Sequence, residues 1–93
     1  MQIGPHKVPI VVGIKEVDTG NLGQCTTDPL PEIRLARLSS QWDYTTLLHE
    51  SIHLISEFHD LGLPEAHVRT LDQALTLLLQ TNPKFLVGLL QDQ

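Results

Sequence analysis

The sequence predicts an α+β fold: a small antiparallel sheet of about three strands packed on a long helix and a second antiparallel helix, followed by a short C-terminal helix. Three observations predict it. β-Branched residues and turn formers dominate the first 38 positions. Apolar residues then recur at helical spacing over 40–61 and again over 64–81. Finally, Gly62, Pro64 and Asn82-Pro83 cut that half into separate helices. A chain of 93 residues holds one modest core, so residues 1–93 read as a single domain.

Each element follows in order. Val8 to Val17 is rich in β-branched residues, and Pro9 marks an edge or an early strand position. "DTGNLG", residues 18–23, is a turn signal, after which Gln24 to Thr27 forms a second short strand. "TDPLPE" turns the chain again, and Ile33 to Leu38 alternates as a third strand would. Ser39, Ser40 and Asp43 offer caps for the long helix. Its two apolar rows, Leu48–Ile52–Ile55 and Leu47–Leu54–Phe58–Leu61, imply burial on two sides, and Gly62 ends it. Pro64 suits the first turn of the next helix, with Glu65 favourable at its positive end. Val68, Leu71, Leu75, Leu78 and Leu79 form that helix's inward face. A last helix over 83–90 carries Phe85, Leu86, Leu89 and Leu90.

Composition narrows the function. Eleven acids against six Lys and Arg give a net charge of −5, which argues against nucleic acid as a partner. One cysteine, Cys25, precludes an internal disulfide and fits a reducing, cytoplasmic setting. The apolar run Lys7 to Ile14 is too short to span a bilayer or to act as a signal peptide, so no membrane partner is expected.

The chemistry concentrates in "TLLHESIHLI", residues 46–55. On a helix His49 and His53 lie one turn apart on one face and can reach a single ion. Glu50, about 100° around the helix from His49, can flank a water on that ion as a general base. This H-E-x-x-H pattern is the zinc-peptidase signature. The plain alternative is a pair of hydrogen-bonded core histidines with no metal.

A catalytic zinc site needs a third protein ligand, and His59, Glu65 and Asp72 compete for the place. His59 would fit a longer motif if Ser56 were glycine, but on a continuous helix it sits about 9 Å beyond His53. Glu65 and Asp72 share a face of the second helix. In a helical hairpin centred on Gly62-Leu63, Asp72 is level with the histidines and Glu65 lies nearer the turn. Asp72 is therefore the expected third ligand, alongside His49 and His53.

The stretch "TLLHESIHLISEFHDLGLPEAHVRTLDQALTLLLQTNP" resembles the core of small, phage-type zinc metallopeptidase-like domains, miniature relatives of the gluzincins. The resemblance covers about residues 45–83 by motif. It implies a few strands, a helix bearing the two histidine ligands His49 and His53 with catalytic Glu50, and a second helix giving an acidic ligand. That ligand, typically a glutamate in the family, maps onto Asp72 in "VRTLD", one methylene shorter. The aspartate that often supports a histidine one turn later falls at Thr76.

The expected activity is zinc-dependent hydrolysis of a peptide or protein substrate lying along a sheet edge, with Tyr44, His59 or His67 as oxyanion donors. The alternative is a non-catalytic or latent zinc domain that acts by binding another protein. In the latent form Cys25 or the tail Phe85 to Leu90 covers the site.

Overall fold

The computed structural model describes residues 1–13 and 23–91. Five short strands precede three helices: β1 (Gln2–Ile3), β2 (His6–Lys7), β3 (Ile10–Val12), β4 (Gly23–Thr26), β5 (Glu32–Leu35), α1 (Gln41–Phe58), α2 (Glu65–Thr81) and α3 (Pro83–Leu90). The class is α+β, with the short C-terminal helix in place. The second half of the Val8–Val17 strand and most of the 18–23 turn lie outside the described residues.

The three-stranded sheet has the order β3-β5-β4. Its last strand is central, pairing antiparallel with β4 (Cys25 opposite Ile33) and parallel with β3 (Val11 opposite Arg34). The sheet is therefore mixed, where an antiparallel one was expected. Alternation assigns side chains to faces but is the same for both strand directions, so it carries no information on polarity. Pro9 does sit just ahead of an edge strand, its carbonyl accepting from the Ile33 N–H. A further hairpin, β1–β2, closes through Gly4, whose φ of +56° few other residues adopt at low cost. Strands of two residues are too short for a periodic signal.

Ile33 and Leu35 on β5 are fully buried against Leu54 of α1, with Ile3 and Val8 from the N-terminal hairpin completing the cluster. Leu47 and Phe58 pack beside it, and the His6 ring stacks on Phe58 at 3.9 Å between centroids. The opposite side of α1 meets α2, so this helix is sandwiched as its two apolar rows require. Gly23 sets the distance between sheet and helix. A β-carbon there would stand 2.8 Å from Leu35 Cδ2 and 2.9 Å from Thr46 Cγ2.

The start of α1 is a capping box. Ser40 Oγ accepts from the Asp43 N–H, while Asp43 Oδ2 accepts from the backbone N–H groups of Ser39 and Ser40, both at 2.9 Å. Those two backbone bonds, with help from Arg37, hold the Asp43 carboxyl well below the usual carboxylate range. A carboxyl depressed on folding stabilises the protein above its unfolded value of about 3.9, and that contribution fades as pH falls below it. The melting temperature of wild type should exceed that of Asp43→Asn at pH 7, with the gap beginning to narrow below about pH 4 and shrinking steadily as pH falls further. Thermal melts across that range check this, and a gap that stays constant would refute it.

The long helix ends a turn earlier than expected. Leu61 N–H donates to Ser56 O at 2.8 Å and Asp60 N–H to Glu57 O at 3.2 Å, with Asp60 in the left-handed region at φ +53°. This is a Schellman close with aspartate where glycine is usual. Ser56 Oγ then accepts from Leu63 N–H and fixes the turn into α2.

The inward face expected for α2 is only partly buried. Val68 is fully covered and Leu79 half-covered, whereas Leu71, Leu75 and Leu78 are exposed. The cause is a mismatch of lengths. Four-residue strands span about 13 Å, and a 17-residue helix runs about 25 Å. The sheet ends before the helix does.

Candidate metal centre

Helix α1 presents His49 and His53 one turn apart, both half-buried, and α2 brings Glu65 to them from its first residue. One donor atom from each of the three lies within 4.8 Å of the others. His49 Nε2 is 2.8 Å from Glu65 Oε1, His53 Nε2 is 2.6 Å from Glu65 Oε2, and the two Nε2 atoms are 3.2 Å apart. Two nitrogens bound to one tetrahedral zinc at its usual bond length would be about 3.3–3.4 Å apart. The three side chains could hold a metal ion.

Asp72, the expected third ligand, stands elsewhere. Its buried carboxylate meets His49 on the other ring nitrogen, Nδ1, away from the point where the Nε2 atoms converge. A hairpin with equal rise on both sides of the turn would bring Asp72 level with the histidines. The connection from His59 to Pro64 is not helical, and Pro64 is fully extended at ψ 157°. Extended residues advance about 3.3 Å each against 1.5 Å in a helix, so the chain returns along α1 faster than that and Glu65 arrives level with the histidines.

A neutral imidazole has one N–H. If His49 Nδ1–H donates to Asp72, the Nε2 lone pair faces both the Glu65 carboxylate and His53 Nε2. His53 can carry its proton on Nε2 and donate to Glu65 Oε2, but the His49 Nε2 lone pair then faces Glu65 Oε1, a repulsion that a further proton or a cation relieves. A cation answers all three donors at once. A carboxylate on the far nitrogen of a ligating histidine is also the usual way its tautomer is fixed.

Glu50 is 8% exposed and lines the same cleft. This cleft, about 680 Å³, is walled by β4 on one side and by His49, Glu50 and His53 on the other, with Glu65 and Arg69 at its α2 end. Cys25 projects from β4 beside Glu50. Burial, reinforced by the Glu50 charge, pushes its thiol up to about 12, so it remains protonated at neutral pH.

The other residues singled out in the sequence are not brought to the cleft. His59 caps the end of α1 and, with Tyr44, borders a separate groove against the N-terminal hairpin. His67 is exposed on α2. Arg69 lies 3.7 Å from Glu65 Oε1, one turn along α2. It is the one Lys or Arg lining the cleft among the described residues. The i,i+4 spacing of Glu65 and Arg69 was the available signal. No helix among the described residues is long and apolar enough to cross a membrane. No family model matches the chain, and neither a curated protein nor a solved structure matches it.

Proposed function

We propose that this chain is a zinc-dependent peptidase of the minigluzincin type, with His49, His53 and Glu65 as metal ligands and Glu50 as general base. The observation that carries the reading is the convergence of both Nε2 atoms and the Glu65 carboxylate beside the buried Glu50. Two histidines and a glutamate are a donor set of catalytic zinc sites, which keep a further position open. When bound there, zinc supplies Lewis acidity, polarising a carbonyl and making a water acidic enough to attack at neutral pH.

The chain's own residues do the rest. Asp72 holds the proton on His49 Nδ1, which turns the Nε2 lone pair toward the site. Glu50 takes a proton from the attacking water and delivers it to the leaving amine. Among the described residues one flank of β4 has no strand partner, and this strand walls the cleft. An extended substrate can add to it by backbone hydrogen bonds, its scissile bond over Glu50. Arg69 replaces Tyr44, His59 and His67 as the polar donor nearest to such a substrate.

One observation favours a second reading, a zinc domain without catalysis. Val68 is the only buried apolar side chain that α2 contributes, so a metal shared by His49, His53 and Glu65 would fasten that helix to α1. The test is hydrolysis of a mixed peptide library by the zinc-loaded protein. We expect cleavage that chelation abolishes and zinc restores. A protein that holds one zinc per chain and cleaves nothing would establish the second reading, and one that takes up no zinc would remove both.

A further inference from the structure

The charges lining the cleft are sorted along its length. Glu57 stands seven residues beyond Glu50 on the same face of α1, exposed and past His53. Among the described residues its carboxylate forms no ion pair. Toward the other end is Arg69, the one cation of Lys or Arg type in the cleft among the described residues. Arg69 also borders a second hollow of about 320 Å³, which continues the groove past Gly23 toward Trp42 and Thr46 at the start of α1. His49, Glu50 and Glu65 border both hollows, so the metal-binding residues stand between the two ends. We infer that this groove selects its substrate by charge, taking a basic side chain ahead of the scissile bond at Glu57 and an acidic one after it at Arg69. The inference rests on the peptidase reading and names its substrate class.

The direction follows from β4. Gly23 lies against Thr46 and Cys25 beside Glu50, so β4 and α1 run the same way, from the Arg69 end of the groove to the Glu57 end. An added strand pairs more stably antiparallel than parallel. A substrate antiparallel to β4 therefore enters at Glu57 and leaves at Arg69. Glu57 lies ~10.5 Å along α1 from Glu50, about three extended residues. A Lys or Arg side chain two or three positions before the scissile bond would meet that unpaired carboxylate. An acid there would face Glu50, Glu57 and Glu65 together. Arg69 reaches Glu65 only loosely, at 3.7 Å. With Glu65 committed to a metal, the guanidinium is left to a substrate carboxylate, which its planar fork matches. Both groups are open to solvent, so each pair contributes modestly and weakens with salt.

Fluorescence anisotropy on the zinc-supplied Glu50→Gln variant tests this, because it reads binding apart from cleavage. Two end-blocked peptides of one composition are compared, the first with lysines before aspartates and the second with the halves exchanged. The first should bind about 10-fold more tightly, and the ratio should fall toward one as salt is raised to about 1 M. Adding Glu57→Lys should cut the ratio by about threefold or more. Lysine is favourable in the last turn of a helix, so this change keeps the fold. The cut sites of wild type in a mixed peptide library give an independent readout, with Lys or Arg enriched before the bond and Asp or Glu after it. Equal binding of the two peptides, tighter binding of the second, or a ratio untouched by Glu57→Lys would overturn the inference. Cleavage at sites without the charge pattern would also overturn it, while the peptidase reading would stand. Charge-selective binding by a protein that cleaves nothing would uphold selection by the groove and remove the peptidase reading instead.

Discussion

Replacing Glu65 with alanine should leave less than a tenth of the zinc that wild type retains, whereas Asp72→Asn should still fill with one zinc per chain when metal is in excess. The two acids differ in what they touch. Glu65 offers an oxygen to each of the two Nε2 atoms, at 2.8 and 2.6 Å, so its loss removes one of the three proposed ligands. Asp72 reaches only His49 Nδ1, so its loss frees the ring to change tautomer or rotate while all three donors remain. Removing such a support typically weakens metal binding by about 10- to 100-fold. Elemental analysis after dialysis, with a competition titration against a chromogenic chelator, measures both effects. His49→Ala serves as the empty reference. An Asp72 variant that is empty beside a Glu65 variant that is full would return the ligand role to Asp72.

The contrast between these two acids also shows how far the sequence could be read. His49, Glu50 and His53 were legible because their relation depends only on the repeat of one helix, which the apolar rows and the Ser40–Asp43 cap fix locally. The partner from α2 depended on the path of six residues between helices. Its course is set by Asp60 in a left-handed conformation, Ser56 Oγ accepting from Leu63 N–H, and Pro64 extended. No periodicity announces such contacts. The locations of β3, β4 and β5 were legible for the same reason as the helix, and strand direction was not, since β3 runs parallel to β5 through pairing that alternation does not encode. The periodicity of α2 identified an apolar stripe correctly. What it could not say was whether the core extended far enough to cover it, because that depends on the lengths of other elements.

Glu50→Gln should keep its zinc and lose about 10²- to 10⁴-fold in the rate of peptide hydrolysis, the range that general-base catalysis contributes. Glutamine preserves shape but cannot accept a proton at neutral pH, so the change isolates proton transfer from packing. Stability separates a catalytic carboxylate from a structural one. Glu50 is 8% exposed beside the Cys25 thiol, and burying a charge there opposes folding. A neutral amide lifts that cost, so the variant should melt at the same temperature as wild type or higher, the pattern of a residue retained for activity at the expense of stability. A lower melting temperature with activity intact would make Glu50 a structural group. Loss of zinc in Glu50→Gln would place the carboxylate among the ligands instead. Retained zinc, unchanged or raised stability and lost hydrolysis together fit only a base positioned beside the metal.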